Sequence, residues 1–189
     1  LLAVAPAGAQ AINPADLFGD GPLPFSHSTG LYMFIPPQGW SCQQLRDSSV
    51  ECQTNNGPAP GTMRITHMTI EGDLDAELMA LNAERDLKKL PHYRKSGGGR
   101  LLLGTTKAAL RSFQFDYLGN TELPVAVEEL YVVTGAKAIR LHFETMARSM
   151  PAYMQDLKLV YDTFGVAEVD AAGQVVQVAK PRQQAKRRR

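Results

Sequence analysis

From residue 100 onward the sequence reads as one strand after another, and this succession limits the fold more than any other feature. Residues 100–104, 109–118, 125–134 and 137–145 are rich in β-branched and aromatic side chains, and Gly135-Ala136 makes a tight turn between the last two. Strands this close in sequence pair antiparallel, because a parallel neighbour needs a crossover of about a dozen residues or more. Alternation is clear within them. Phe113, Phe115 and Tyr117 oppose Ser112, Gln114 and Asp116, and Ile139, Leu141 and Phe143 oppose Arg140, His142 and Glu144. The expectation is a sheet with one apolar face and one mixed face.

Two helices are expected to cover it. Residues 150–164 have Ser149 as cap, Pro151 in the first turn and Gly165 as a left-handed stop, with a stripe of Tyr153, Leu157, Val160, Tyr161 and Phe164. This helix should pack on the aromatic sheet face, each buried side chain contributing about 1.5 to 3 kcal/mol. An earlier helix runs from an Asp73 cap to about Leu90, with Asp75 and Glu77 in its first turn and Pro91 beyond its end. Leu74, Leu78 and Leu81 mark one side of it, and Ala80, Ala83, Leu87 and Leu90 drift to another, so it is either broadly buried or bent. Ser96-Gly97-Gly98-Gly99 reads as a mobile linker. The fold class is α+β, an antiparallel sheet flanked by helices in a single domain.

The opening residues 1–11, LLAVAPAGAQA, read as the apolar end of a secretory signal peptide with a small-residue cleavage site at Ala9-Gln10-Ala11. The apolar run falls short of the roughly 20 residues that span a bilayer, so no transmembrane segment is expected. A periplasmic or secreted location follows, and with it a reading of the two cysteines, since an oxidising compartment favours a disulfide. Residues 40–45 and 50–53 form a hairpin on sequence grounds. Placing Cys42 opposite Cys52 puts Leu45 opposite Ser49 and leaves Arg46, Asp47 and Ser48 as a three-residue loop, a common hairpin length. Neither a CxxC spacing nor further metal ligands lie close by, so the pair is a structural staple. Residues 12–30, rich in Pro and Gly, form an irregular N-terminal arm.

The formal net charge of +1 conceals an asymmetry. Six basic residues, Lys180, Arg182, Lys186, Arg187, Arg188 and Arg189, lie in the last ten, leaving 14 basic against 19 acidic elsewhere. Residues 180–189 are expected to be a disordered electrostatic arm suited to an anionic surface, with residues 166–179 an extended segment before it. Nucleic acid is not an expected partner, because the body has no basic face to continue the footprint.

Catalytic constellations are thin. His27, His67, His92 and His142 show no HxH or HExxH spacing, and no Ser stands in a GxSxG elbow. Glu144 shares a strand face with His142, and Asp116 joins them if its strand adjoins. That trio is either a site for a divalent metal or polar ligand or a surface salt-bridge cluster. Two function classes remain: an exported non-catalytic module with protein partners in the cell envelope, and a ligand-binding or metal-binding enzyme built around His142. The first is preferred, with no enzyme activity and no cofactor expected, since no activated nucleophile or closed ligand set is visible.

The order of elements, with the segments LYMFIPPQGWSC and YVVTGAKAIRLHFETMARSMPAYMQDLKLVYDTF, resembles the PsbP-like superfamily, which includes DcrB-like bacterial envelope proteins and Mog-type Ran-binding proteins. The similarity spans residues 31–165. It implies an α-β-α sandwich around an antiparallel sheet and a non-enzymatic role as an accessory subunit that stabilises or assembles larger complexes.

Overall fold

A computed structural model describes residues 23–177. Among these residues, twelve strands and two α-helices follow in this order: β1 (Phe25–Ser26), β2 (Tyr32–Phe34), β3 (Ser41–Gln44), β4 (Val50–Thr54), β5 (Gly61–Thr69), α1 (Ala76–Leu87), β6 (Arg94–Leu103), β7 (Thr106–Asp116), β8 (Pro124–Thr134), β9 (Lys137–Met146), α2 (Met150–Thr163), β10 (Gly165–Val166), β11 (Glu168–Val169) and β12 (Val175–Gln177). Seven strands make one antiparallel sheet in the order β3-β4-β5-β9-β8-β7-β6. The expected α+β class, an antiparallel sheet flanked by helices, is the observed one.

Register decides which aromatic residues share a face. Phe113 pairs with Val127, which pairs with Glu144, whereas Leu110 pairs with Leu130, which pairs with Leu141. The Phe113 and Phe115 stripe therefore lies on the opposite face from Ile139, Leu141 and Phe143. There is no single aromatic face. α2 packs Tyr153, Leu157 and Val160, with Phe164 just past its end, all fully buried, against Leu130, Leu141, Phe143, Met63 and Ile65, while Phe113 sits with Val125, Val127, Leu87, Leu90 and Tyr93 on α1's side. Trp40 stacks on Phe143 with ring centroids 5.6 Å apart and donates from Nε1 to Asp156 at 2.9 Å, fixing the chain before β3 to α2.

α1 differs from expectation at both ends, and of its two apolar sides the one with Ala80, Ala83, Leu87 and Leu90 packs. Asp75, not Asp73, is the cap, its carboxylate accepting from the Leu78 amide at 2.7 Å, and the helix stops at Leu87. Ala76 and Ala80 face the sheet, and Leu78 and Leu81 are nearly half exposed. Arg111 gives the physical reason. Its buried guanidinium needs counter-charges, and Glu77 at 2.5 Å and Glu84 at 3.5 Å stand on the alanine side of the helix. Turning the leucines inward would strip that arginine of partners, a loss that exceeds what two leucines gain by burial.

Gly97, Gly98 and Gly99 lie within the edge strand β6, not in a linker. The pairing shifts register between Lys95 and Gly97, and Gly98 has φ +148°, where a Cβ would stand 2.8 Å from the Leu110 carbonyl oxygen. A glycine-rich segment there allows the strand to bulge and still pair. At the other end of the fold, Gly165 does not stop α2 in the left-handed region; Phe164 is already extended and Gly165 pairs with Met33 of β2. Ser149 makes no side-chain cap, and a 3-10 turn, Ala147–Ser149, leads into the helix instead. The irregular arm also ends in structure, since Phe25 pairs with Phe34 and His27 is buried.

Candidate functional site

α1 packs on β7 and β8, through Ala76 and Ala80 against Ala109 and Tyr131, and reaches β6 through the Glu84–Lys95 pair. On the same face, β4, β5 and β9 carry rows set by register: Glu51, Arg64 and His142 in one, Gln53, Thr62 and Glu144 in the next. These side chains are half-buried to exposed, so this half of the sheet presents an ordered surface of charged and neutral polar groups.

Where the open half meets α1, a polar cluster forms around Glu129, which is fully buried. Glu129 lies opposite His142 in the β8–β9 ladder, and alternation brings Tyr131 and Arg140 to the same face. Three donors converge on its carboxylate: the Tyr131 hydroxyl, the Arg140 guanidinium and His142 Nδ1 at 2.8 Å. The other ring nitrogen of His142 lies 3.3 Å from Glu144.

The protonation pattern follows from these contacts. Burial opposes charge on Glu129, but the hydrogen bonds from His142 and the positive charge of Arg140 outweigh it and hold the carboxyl below its usual range. Burial would likewise strip the proton from His142, yet its bonds to Glu129 and Glu144 prevail and raise it above its usual value. Its bond to His142 in turn lowers Glu144. When protonated, His142 donates from both nitrogens and has no lone pair to offer a metal or a substrate proton. This is an ion cluster that fixes charge at the edge of the open sheet.

Of the residues singled out from sequence, the structure brings His142 and Glu144 together and leaves Asp116 out. Asp116 follows Phe115 and so points to the opposite face, where it bonds His92 Nδ1 at 2.7 Å and approaches Arg94 at 3.7 Å. Glu129, Tyr131 and Arg140 complete the cluster and were missed. The signal was present in VAVEELYVV, where two adjacent acids interrupt an apolar strand. Among the described residues, no group of three or more His, Cys, Asp or Glu is placed to hold a metal ion. Cys42 and Cys52 form a disulfide with Cα atoms 4.0 Å apart. The Leu45 amide bonds the Ser49 carbonyl, so counting outward places the two cysteines at a non-hydrogen-bonded pair, where strands come closest. The basic residues Lys180, Arg182, Lys186, Arg187, Arg188 and Arg189 lie outside the described residues, as do residues 1–11. Among the described residues, no helix is long and apolar enough to cross a membrane.

No protein-family model matches the sequence, and no curated protein matches it with significance. Solved structures do match. LpqN of Mycobacterium tuberculosis, involved in cell envelope biogenesis, is 18% identical over 82% of this chain and 98% of its own, with a TM-score of 0.57. The cyanobacterial PsbP of Synechocystis sp. PCC 6803 is 13% identical over 86% of this chain and 99% of its own, with a TM-score of 0.54. The Ran-binding protein Mog1p of Saccharomyces cerevisiae is 9% identical over 77% and 95%, with a TM-score of 0.55. The chain has the PsbP/Mog1-like fold. Within that fold, the Cys42–Cys52 bridge staples the outermost hairpin of the sheet, and the Glu129 cluster stands at the border between α1 and the open half.

Proposed function

We propose that the mature chain is an exported, non-catalytic binding module that acts as an accessory subunit of an envelope-associated protein complex. The observation that carries this reading is the open half of the sheet, a rigid surface with its backbone fully paired between β4, β5 and β9 and its charges held in rows. His142, the one histidine on that surface, is occupied by two carboxylates and is poorly suited to proton transfer. The disulfide and the envelope role of LpqN support a location outside the cytoplasm, and the basic C-terminal residues supply attraction to an anionic surface.

A photo-crosslinking amino acid at Thr62 or Gln53, compared with one at Lys158 on α2, tests this in intact envelopes of cells expressing the chain with its leader. The same protein band should be captured from both sheet positions and not from Lys158. Equal labelling from all three, or a chain that remains in the cytoplasmic fraction, would count against the proposal.

A further inference from the structure

The opposite face of the sheet holds a separate feature. Between α2 and the strands β6 and β7 lies a cleft of about 350 Å³, with Leu101, Leu103, Leu110 and Met154 in its walls. Its volume is at the small end of the range for ligand sites. Glu128 of β8 and Tyr161 of α2 supply its polar lining, with Ser112 opposite Glu128 in register. Glu128 is only 5% exposed, and both its Oε2 and the Tyr161 hydroxyl oxygen are buried without a hydrogen-bond partner.

A buried carboxyl oxygen without a partner is costly, and native folds leave few of them. Burial holds the Glu128 carboxyl above its usual range, partly offset by a bond from Ser112. No cation of the cleft relieves it: Lys158, also in the lining, is largely exposed and engaged with Asp162 at 2.6 Å. The walls therefore ask for an apolar chain and the floor for a donor with positive charge.

We propose that this cleft binds a small amphiphile with a primary ammonium head, its alkyl chain lying against Leu101, Leu103, Leu110 and Met154 and its head on Glu128 and Tyr161. An ammonium carries three donors, enough for Glu128 Oε2 and the Tyr161 oxygen together, and brings the counter-charge a buried carboxylate lacks. An alcohol of the same length offers one donor and no charge. A fatty acid places a second acid against the first.

The test uses the full chain and three probes of equal length, heptylamine, 1-heptanol and heptanoate, with affinities measured by calorimetry and by NMR shifts of the Leu101, Leu110 and Met154 methyl groups. Heptylamine should bind at least about tenfold more tightly than 1-heptanol, the gain of a hydrogen bond to a charged group, and heptanoate should not compete. Glu128→Gln should remove that preference while leaving 1-heptanol binding within about threefold. Met154→Trp, at a site 44% exposed and so tolerant of change, should block all binding by filling the cleft.

The groups facing Glu128 from the packed elements are Tyr161, Lys158 and Asp162 of α2 and Ser112 of β7. Below the raised titration range of Glu128, an ammonium must displace a proton, so affinity should rise with pH through that range and then level. A preference for heptylamine that survives Glu128→Gln, or absence of binding by any probe, overturns the assignment. It is also overturned if the full chain binds none and a chain ending at Gln177 does, which would give the cleft to the chain's own basic tail. None of these outcomes depends on the open half of the sheet, so this proposal and the binding-module reading fail separately.

Discussion

Glu129→Gln isolates the charge at the centre of the cluster, because the two side chains have nearly the same volume. In the wild type, one carboxylate accepts from Tyr131, Arg140 and His142. The amide keeps one acceptor oxygen and loses the charge, leaving two cations beside a fully buried neutral group. Breaking a buried ion pair by removing one partner costs about 3 to 5 kcal/mol. The Arg140 side chain is 37% exposed, which lets water compensate part of the loss and puts the expectation at the low end, about 3 kcal/mol. For a domain of this size that is a fall in Tm of about 6 to 12 °C. The pH dependence is the sharper readout. In the wild type, His142 titrates above its ordinary value of 6.5, so its contribution is fully present below that pH and is lost as pH rises through the raised value. Without Glu129, burial dominates and His142 titrates lower, so the slope between pH 6 and pH 8 should flatten or invert. Urea unfolding at the two pH values, with His142 followed by NMR, makes the comparison. A loss below about 1 kcal/mol, or an unchanged slope, would refute the cluster as a folding determinant.

Reduction of the Cys42–Cys52 bridge, or Cys42→Ser with Cys52→Ser, frees a loop of sequence separation 10 and should lower stability by about 2 to 3 kcal/mol in denaturant titrations with and without reductant. Gly98→Ala should destabilise by about 1 to 3 kcal/mol, because φ +148° is strained for any side chain and the added Cβ meets the Leu110 carbonyl; a neutral result in thermal melts would mean the bulge relaxes. Arg111→Met should cost about 1 to 3 kcal/mol by taking from Glu77 its 2.5 Å partner and from Glu84 one of its cations, while Glu84 keeps Lys95 at 3.0 Å. In the wild type, the bond and charge of Lys95 chiefly hold Glu84 below its usual range against burial, so its contribution is present above the ordinary value of 4.5 and is lost as pH falls through the lowered one. Acid titration of both proteins by circular dichroism checks this.

Local geometry was legible in the sequence where it is self-contained. The Cys42–Cys52 hairpin follows from loop length and pairing arithmetic within eleven residues, and the structure reproduces its register down to Leu45 opposite Ser49. What depended on the relative phase of two strands was not legible. Alternation says that Phe113 and Phe115 share a face and that Leu141 and Phe143 share a face, but only the register through β8 says that the faces differ. The same gap separated Asp116 from His142. The choice between the two apolar sides of α1 stayed open for another reason, since hydrophobicity alone does not separate them and the structure chose the alanine side beside Glu77 and Glu84, which neutralise Arg111. Mixed ionic and apolar interfaces defeat a reading based on hydrophobicity alone.

Glu128 and Glu129 show how far neighbouring residues of one type can diverge. Alternation sends them to opposite faces of the same strand, and both are almost wholly buried. Glu129 meets three donors and is held ionised; Glu128 meets only Ser112, keeps an oxygen unpartnered, and is pushed toward its neutral form. The same substitution at the two positions should therefore have opposite signs. Glu129→Met exposes Arg140 and His142 to a neutral neighbour and should destabilise by about 3 kcal/mol or more. Glu128→Met removes the desolvation of an unsatisfied group and adds apolar contact with Leu110 and Met154, at the cost of one bond to Ser112. The net expectation is a gain of about 1 kcal/mol. Parallel urea titrations at pH 7 decide it. A large loss at Glu128 would show that its second oxygen is bonded after all, and would withdraw both the stability argument and the assignment of the cleft to a cationic head.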